Sequence, residues 1–384
     1  MKRIGVIGGG QLAQMMGEAA KNLDVDLIIQ TPSQEDPAVS IADRTILAAV
    51  GDPHGTGLLA NHCDVITFEN EFVDLEALSS LAQQGVCFRP RLEALSPLLD
   101  KYHQRSYLQQ LGLLVPKFIA LESIDLTNDR NLTQLGFPVV LKARRNGYDG
   151  QGTDIIKDLE QLKATLALHT PEIAANTFLL EEFIPFEKEL AAIATRGIDH
   201  HIAIYPIVET QQEEQVCRRA IAPADISADV NAKIQQVAQT LLNSLQVLGT
   251  FGIELFLTRD NQVLVNEIAP RTHNSGHFTI DACQTSQFEQ HLRAVCGLPL
   301  GSTDMMYPVA VMVNLLGYED SDSDYMQKRQ QIAAIPQARI HWYGKTRSRP
   351  GRKLGHVTVL LEEQNRGEAL LYGNKIESIW YPKF

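Results

Sequence analysis

Cysteine is sparse in this chain, with five in 384 residues: Cys63, Cys87, Cys217, Cys283 and Cys296. None sits in a C-x-x-C pair, and an odd number cannot close a full set of internal disulfides. The pattern therefore excludes a zinc ribbon and a disulfide scaffold, and predicts reduced thiols in a cytoplasmic setting. Net positive charge is missing as well, since 34 Lys and Arg stand against 46 Asp and Glu, a balance of −12. That balance excludes broad capture of nucleic acid or anionic membrane, and any anionic substrate must meet a local basic cluster. No apolar run approaches membrane-spanning length, and MKRIGVIGGG leads straight into a strand and a glycine loop. Neither a signal peptide nor a membrane anchor is expected. Internal repeats and long low-complexity tracts are also lacking. What remains is 44% hydrophobic and 21% charged, the composition of a globular chain long enough for two or three domains.

The first hundred residues alternate strand and helix patterns. Strands are predicted at Ile4–Ile7, Asp26–Ile29, Arg44–Ala48, Asp64–Phe68 and Val86–Phe88, with helices at Gln11–Asn22 and Val73–Gln84. That order predicts a parallel, doubly wound α/β sheet. Pro90 and Pro97 bracket a change of style, followed by a helix near Lys101–Leu111. A small strand-rich piece follows, with strands at Phe137–Lys142 and Thr177–Glu181 and a helix at Leu159–Leu168, able to move as a lid. The remainder predicts strands at Glu189–Thr195, His201–Val208, Gly252–Leu257, Val263–Ile268, Val309–Leu315, Arg339–Tyr343 and His356–Leu361, and a helix at Asp229–Leu245. The expected division is 1–100, 101–185 and 186–384.

The most informative stretch is VLVNEIAPRTHNSGHFT, Val263–Thr279. An apolar strand runs there into Asn266, Glu267, Arg271, Thr272, His273, Asn274, Ser275 and His277, and such a density of polar groups is costly as mere structure. Glu254, in FGIELFL, offers a second carboxylate on another strand. Alternation puts Glu254 on a face with Gly252 and Phe256, and Glu267 on a face with Val263 and Val265. Two such carboxylates suit a hard cation such as Mg2+, and a salt bridge to Arg271 is the plainer alternative. His273 and His277 lack any metal-ligand context and read as hydrogen-bonding groups.

Two glycine clusters follow strands. Gly8-Gly9-Gly10 could bring a ligand to a helix N-terminus, but Ala13 stands where a dinucleotide fingerprint has its third glycine, and a bare strand-to-helix turn is an equal reading. RRNGYDGQGT, Arg144–Thr153, follows Lys142 and could fold its amides over phosphates; a long hairpin turn is the alternative. It is not a Walker A loop, because no Gly-Lys-Ser/Thr follows. The basic run Lys345–Lys353 is shaped by Pro350 and Gly351, so a phosphate-monoester pocket rivals solvated surface. Glu69-Asn70-Glu71 lies at the carboxyl end of a strand, where ligands bind in open parallel sheets.

These stretches in this order resemble the ATP-grasp superfamily, and within it the N5-carboxyaminoimidazole ribonucleotide synthase family. The resemblance rests on GGGQLAQMM, on TFENE at Thr67–Glu71, on GYDGQGT at Gly147–Thr153, on NEIAPRTHNSGH at Asn266–His277 and on RPGRKLGH at Arg349–His356. It implies an ATP-grasp fold with an N-terminal doubly wound domain, a small lid and a C-terminal α+β domain. It also implies a cytoplasmic homodimer acting on ATP, bicarbonate and 5-aminoimidazole ribonucleotide with Mg2+. Carried over residue by residue, Lys142 and Gly147, Tyr148, Asp149, Gly150, Gln151, Gly152 and Thr153 would hold the ATP phosphates, with Lys101 nearby. Glu181, Glu182, Phe183 and Ile184 would take adenine and Glu189 the ribose. Glu254 and Glu267 would bind Mg2+, with Asn266 beside the nucleotide. Arg271, His273 and Asn274 would hold bicarbonate and carboxyphosphate. Tyr148, Asp149, Lys345, Arg352 and Lys353 would hold the ribonucleotide, with Gly10, Gln11, Leu12 and Glu69. The tail after Leu361 looks short for that family's last helix. Rival readings are a formate-dependent glycinamide ribonucleotide transformylase, a biotin carboxylase, a nicotinamide-dependent oxidoreductase using Gly8–Gly10, and a non-catalytic ATP-binding regulator.

Overall fold

The structure is a computed structural model that describes residues 2–145, 147, 152–168, 177–213 and 215–382. Its N-terminal sheet contains β1 (Lys2–Ile7), β2 (Val25–Thr31), β3 (Arg44–Leu47) and β4 (Val65–Phe68), all parallel in the order β3-β2-β1-β4. Side chains alternate between its faces, so Ile4, Val6 and Ile29 enter one core and Ile7 and Ile28 another. Helix Gln11–Ala20 covers the first face with Leu12, Met15 and Met16. The same core takes Phe288, Leu292 and Val295 from helix Gln287–Cys296, far along the chain and not anticipated from the sequence. The expected strand Val86–Phe88 is reduced to a single bridge, Ile66 to Phe88. Arg89 still donates to the Ile66 carbonyl, but Pro90 has no N–H with which to continue.

A second sheet is antiparallel in the order β5-β8-β6-β7, from β5 (Phe118–Ala120), β6 (Val139–Ala143), β7 (Thr153–Ile156) and β8 (Phe178–Glu182). Helix Leu159–Leu166 seals its core with Leu162 and Leu166. β6 and β7 pair directly, with Lys142 opposite Thr153, and residues 148–151 of the glycine loop between them lie outside the described residues.

The largest sheet has nine strands: β9 (Lys188–Arg196), β10 (Ile202–Ile204), β11 (Val208–Glu213), β12 (Val216–Ala222), β13 (Gly249–Leu257), β14 (Val263–Ala269), β15 (Val309–Leu316), β16 (Ala338–Trp342) and β17 (Lys353–Leu361). Its main order is β14-β13-β9-β11-β12-β15-β17-β16, with β10 paired to β9. One ladder thus spans the whole second half of the chain. Helix Ala228–Leu245 lies against it, capped by Ser227, whose hydroxyl accepts from the Val230 N–H at 3.2 Å. Val230, Ile234, Ala238, Leu241 and Leu245 recur at helical spacing and are buried, and the helix stops where Gln246 turns left-handed at φ 49°.

Several expectations need correction. The predicted strand His201–Val208 divides into β10 and the start of β11, with Pro206 between them. The β11–β12 hairpin was not anticipated. The tail is not short of a helix: Arg366–Trp380 forms one, capped by Asn365, with Ile376 and Trp380 buried. Glu267 does not share a face with Val263 and Val265. A bulge between Glu254 and Leu255 sets two residues of β14 against one step of β13, so the phase changes within β14. Val263, Val265 and Ile268 enter the core, and Glu267 turns to the other side, directly opposite Glu254.

The N-terminal domain is tied to the large sheet through His291, which is buried. The Thr250 N–H donates to its Nδ1 at 3.0 Å, so its proton sits on Nε2, 2.8 Å from the Thr67 hydroxyl.

Candidate active site

One cleft of about 940 Å3 opens where the three sheets meet. Its floor is the bulged pair β13–β14. Glu254 and Glu267 face each other across the ladder, and Asn266, the extra residue of the bulge, donates to Glu254 at 3.4 Å. Lys101, at the start of helix Lys101–Gln110, reaches Glu267 at 2.6 Å. Burial pushes the Glu254 carboxyl up, the facing Glu267 pushes it further, and it settles at about 7. Burial acts upward on Glu267 too, but Lys101, Lys142 and Arg105 together outweigh it and hold that carboxyl below its ordinary value. Glu189, on neighbouring β9, is raised to about 7 by burial and then by Glu254. A dication beside Glu254 and Glu267 would relieve this crowding of negative charge, so the donor set fits Mg2+. Among the described residues no cluster of three or more His, Cys, Asp or Glu could form a closed metal cage. A two-carboxylate site suits a metal that arrives with phosphates.

Above this floor Lys142, from β6, spans 2.8 Å to Glu181 and 3.0 Å to Asn266. Burial lowers its affinity for a proton, and Glu181 only partly compensates. Burial acts upward on Glu181, but Arg105, at 2.7 Å, and Lys142 overcome it and pull the carboxyl to about 2. Its side chain is thus fully committed to two cations. Glu182 ends β8, and Phe183 and Ile184 continue beyond the ladder along the cleft wall. Phe186 and Phe256 stack there at 4.8 Å with ring planes 2° apart.

At the far end Arg271 is held by Glu71 through two contacts, Nε at 2.6 Å and an end nitrogen at 3.2 Å, and it also donates to the Thr272 carbonyl. His273 places Nδ1 2.8 Å from the Ser275 hydroxyl and Nε2 3.4 Å from Glu254. Arg271, weighed from the sequence only as the alternative salt-bridge partner of Glu254 and Glu267, pairs with Glu71. Asn274 is buried beside them and lines the cleft. Lys345 donates to Gln11 at 2.9 Å and to the Lys353 carbonyl at 2.8 Å, joining the basic loop to the first glycine turn. Glu69 is buried against that turn and accepts from the Leu12 N–H at 3.3 Å. Burial raises its carboxyl, opposed by the Gly10 N–H and then by Arg271. A Cβ on Gly8 or Gly10 would run into the Glu69 side chain, which is the physical need for glycine here.

Most sequence-predicted residues therefore converge. Gln11, Leu12, Glu69, Lys142, Gly147, Thr153, Glu181, Glu182, Phe183, Ile184 and Glu189 line the cleft, as do Glu254, Asn266, Glu267, Arg271, His273, Asn274, Lys345, Arg352 and Lys353. Lys101 joins through Glu267, while Gly10 and Gly152 do not line the cleft. Tyr148, Asp149, Gly150 and Gln151 lie outside the described residues. Sequence reasoning missed Arg105, whose two end nitrogens are buried without a partner among the described residues. It also missed the grip of Glu71 on Arg271 and the Phe186–Phe256 stack; no local pattern in the sequence signals any of the three.

Glu254 and Lys353 lie five strands apart in one sheet. At about 4.8 Å per strand a flat sheet would separate them by roughly 24 Å. Both line the same cleft, and Lys353 acts on the Glu254 carboxyl, so the sheet twists and curls around the site.

A doubly wound sheet, a small sheet with a glycine hairpin, and a carboxylate-bearing strand pair below them define an ATP-dependent ligase of the ATP-grasp class. Family models agree: the ribonucleotide synthetase preATP-grasp domain matches residues 1–97, the ATP-grasp domain 106–288, and the phosphoribosylaminoimidazole carboxylase C-terminal domain 310–369. The chain is 52% identical to the N5-carboxyaminoimidazole ribonucleotide synthase of Synechococcus elongatus, over 99% of this chain and 96% of that protein. The N5-carboxyaminoimidazole ribonucleotide synthetase structure from Thermotoga maritima superposes with TM-score 0.86 at 38% identity, covering 99% and 98% of the two chains. The synthase from Aspergillus clavatus, solved with ADP and 5-aminoimidazole ribonucleotide, gives TM-score 0.88 at 30% identity over 98% of each chain. This chain belongs to the N5-carboxyaminoimidazole ribonucleotide synthase family of purine biosynthesis.

Proposed function

We infer that this chain carboxylates 5-aminoimidazole ribonucleotide on its exocyclic amine, using ATP and bicarbonate and giving N5-carboxyaminoimidazole ribonucleotide, ADP and phosphate. The observation that carries the reading is a cleft lined together by the carboxylate pair Glu254 and Glu267, by Arg271, His273 and Asn274, and by the basic residues Lys345, Arg352 and Lys353.

Bound Mg2+ at Glu254 and Glu267 would supply charge neutralisation as the γ-phosphoryl group leaves ATP. Lys142 and the hairpin residues Gly147–Thr153 hold the phosphates, Phe183–Ile184 offers backbone to adenine, and Glu189 takes ribose hydroxyls. Lys101 acts through Glu267, fixing its carboxylate. Bicarbonate, a weak nucleophile, is oriented by Arg271, His273 and Asn274 toward the γ-phosphorus, which makes the step one of positioning and electrostatics. The resulting carboxyphosphate is kept from water by closure of the small sheet, until the ribonucleotide amine takes its carboxyl carbon and phosphate departs. Lys345, Arg352 and Lys353 hold the ribonucleotide phosphate, with Tyr148, Asp149, Glu69 and the Gly10–Leu12 turn along the rest of that substrate. The division at 1–100, 101–185 and 186–384, a homodimer and a cytoplasmic location are proposed from the resemblance, and sedimentation tests the dimer.

The test is ADP release with Mg2+ and bicarbonate, with and without 5-aminoimidazole ribonucleotide, in wild type and Glu267→Gln. Turnover that needs the ribonucleotide and vanishes in the variant supports the reading. Turnover indifferent to the ribonucleotide removes it.

A further inference from the structure

We propose that Asn314 is a positioning residue that locks the Asn274 carboxamide with an N–H turned toward the anion in the cleft. The proposal rests on the reading above, in which Asn274 meets bicarbonate and carboxyphosphate. Asn314 lies on β15, 40 residues from Asn274, and is fully buried. The two carboxamides form a reciprocal pair: Asn274 Nδ2 donates to Asn314 Oδ1 at 2.9 Å, and Asn314 Nδ2 donates to Asn274 Oδ1 at 2.8 Å.

Such a pair is degenerate by itself. If both amides turned over together, the same two bonds would form again. A third contact removes the degeneracy. Asn314 Nδ2 also lies 2.9 Å from the Cys217 carbonyl, on β12. A backbone carbonyl only accepts, so that end of Asn314 must be its NH2. Asn314 Oδ1 then faces Asn274, and the end of Asn274 that meets it must be NH2. β12 and β15 are paired strands, so the anchor is part of the sheet.

The first Nδ2–H of Asn274 is spent on Asn314. The second is the donor it keeps for the cleft that it lines. A donor there favours the oxygens of bicarbonate and of carboxyphosphate; a flipped amide would meet them with its own carbonyl oxygen. Nothing in the sequence around Asn314, in VMVNLLG, marks it as part of the site.

Asn314→Leu removes the anchor, and Asn314→Asp keeps an acceptor but sets lone pairs against Cys217 O and Asn274 Oδ1. Both are expected to raise the bicarbonate KM by about tenfold or more and to increase ADP formed per carboxylated product, because a lost charge-assisted bond is worth roughly that factor. The ATP KM should stay within about twofold. In a double-mutant cycle Asn274→Ala with Asn314→Leu should lose no more than Asn274→Ala alone. Additive losses, or ATP and bicarbonate KM rising together, would mean a general structural role and overturn the proposal. A second readout does not depend on the reaction assigned: thermal stabilisation of the MgADP-loaded protein by inorganic phosphate should be strong in wild type and weak in Asn314→Leu. If phosphate fails to distinguish the two, the lock is wrong whatever the enzyme makes. If it distinguishes them while wild type shows no bicarbonate-dependent turnover, the lock stands and the reaction reading falls.

Discussion

His291 should make the docking of the N-terminal domain sensitive to acid. Burial holds its imidazole down at about 4, against an ordinary value of about 6.5. The geometry agrees with the direction, since the Thr250 N–H points at Nδ1 and a second proton there would face a donor. In the unfolded chain the ring titrates normally. Between pH 6.5 and 4 the unfolded state therefore binds a proton that the folded state refuses, and stability falls as pH falls through that window. At 1.36 kcal/mol per unit, acidification from pH 7.5 to 5 costs about 2 kcal/mol through this one group. His291→Gln loses packing and hydrogen bonds at every pH but carries no proton. The gap in stability between wild type and variant, measured by urea unfolding, should therefore narrow by about 2 kcal/mol over that range. Other histidines and carboxylates titrate in both proteins and cancel in the difference. A gap that stays constant from pH 7.5 to 5 would refute the assignment of a neutral, proton-refusing imidazole.

Three further outcomes follow from the geometry. Arg271→Lys should cut turnover by about 100-fold or more, since a point charge cannot reproduce a planar fork, while calorimetric affinity for MgATP changes by less than about twofold; equal loss of nucleotide affinity would remove Arg271 from the bicarbonate site. Gly10→Ala isolates a steric clash, because Gly10 has φ −76° and alanine is conformationally at ease there. Its methyl meets the Glu69 carboxylate, so the KM for the ribonucleotide should rise by about tenfold while the ATP KM holds, and an unchanged value would place that substrate elsewhere. Ile234→Ala, in the fully buried stripe of helix Ala228–Leu245, should lower stability by about 2–5 kcal/mol in urea unfolding without moving any KM.

The sequence made the parallel N-terminal sheet legible because β1 and β4 are short apolar runs, each followed by a turn and an amphipathic helix. The run Asn266–His277 was legible for another reason: so many polar side chains in succession after a strand have few uses besides a site. What stayed hidden depends on contacts between distant parts of the chain. Alternation placed Glu267 with Val263 and Val265, and failed because a bulge is a property of two strands in register, not of one. Glu71 holds Arg271 across 200 residues, and Asn314 holds Asn274 from another strand. Arg105 sits in a helix of weak amphipathicity, and only the fold brings it to Glu181. The final helix was underestimated because its buried residues, Ala369, Gly373, Ile376 and Trp380, are sparse and partly small.

With the ribonucleotide placed as proposed, the curl of the long sheet sets a ruler for the acceptor. The carboxylate pair and Lys353 ride on strands of one ladder, so their separation is decided by strand count and coil, not by loop length. Lengthening the loop at 345–352 should leave Lys353 at its place on β17. A molecule with the right charges but the wrong span would be held at one end only, with its nucleophile out of reach of the carboxyl group. On that placement, selection by length is built into the β-ladder, ahead of any side chain that touches the ligand.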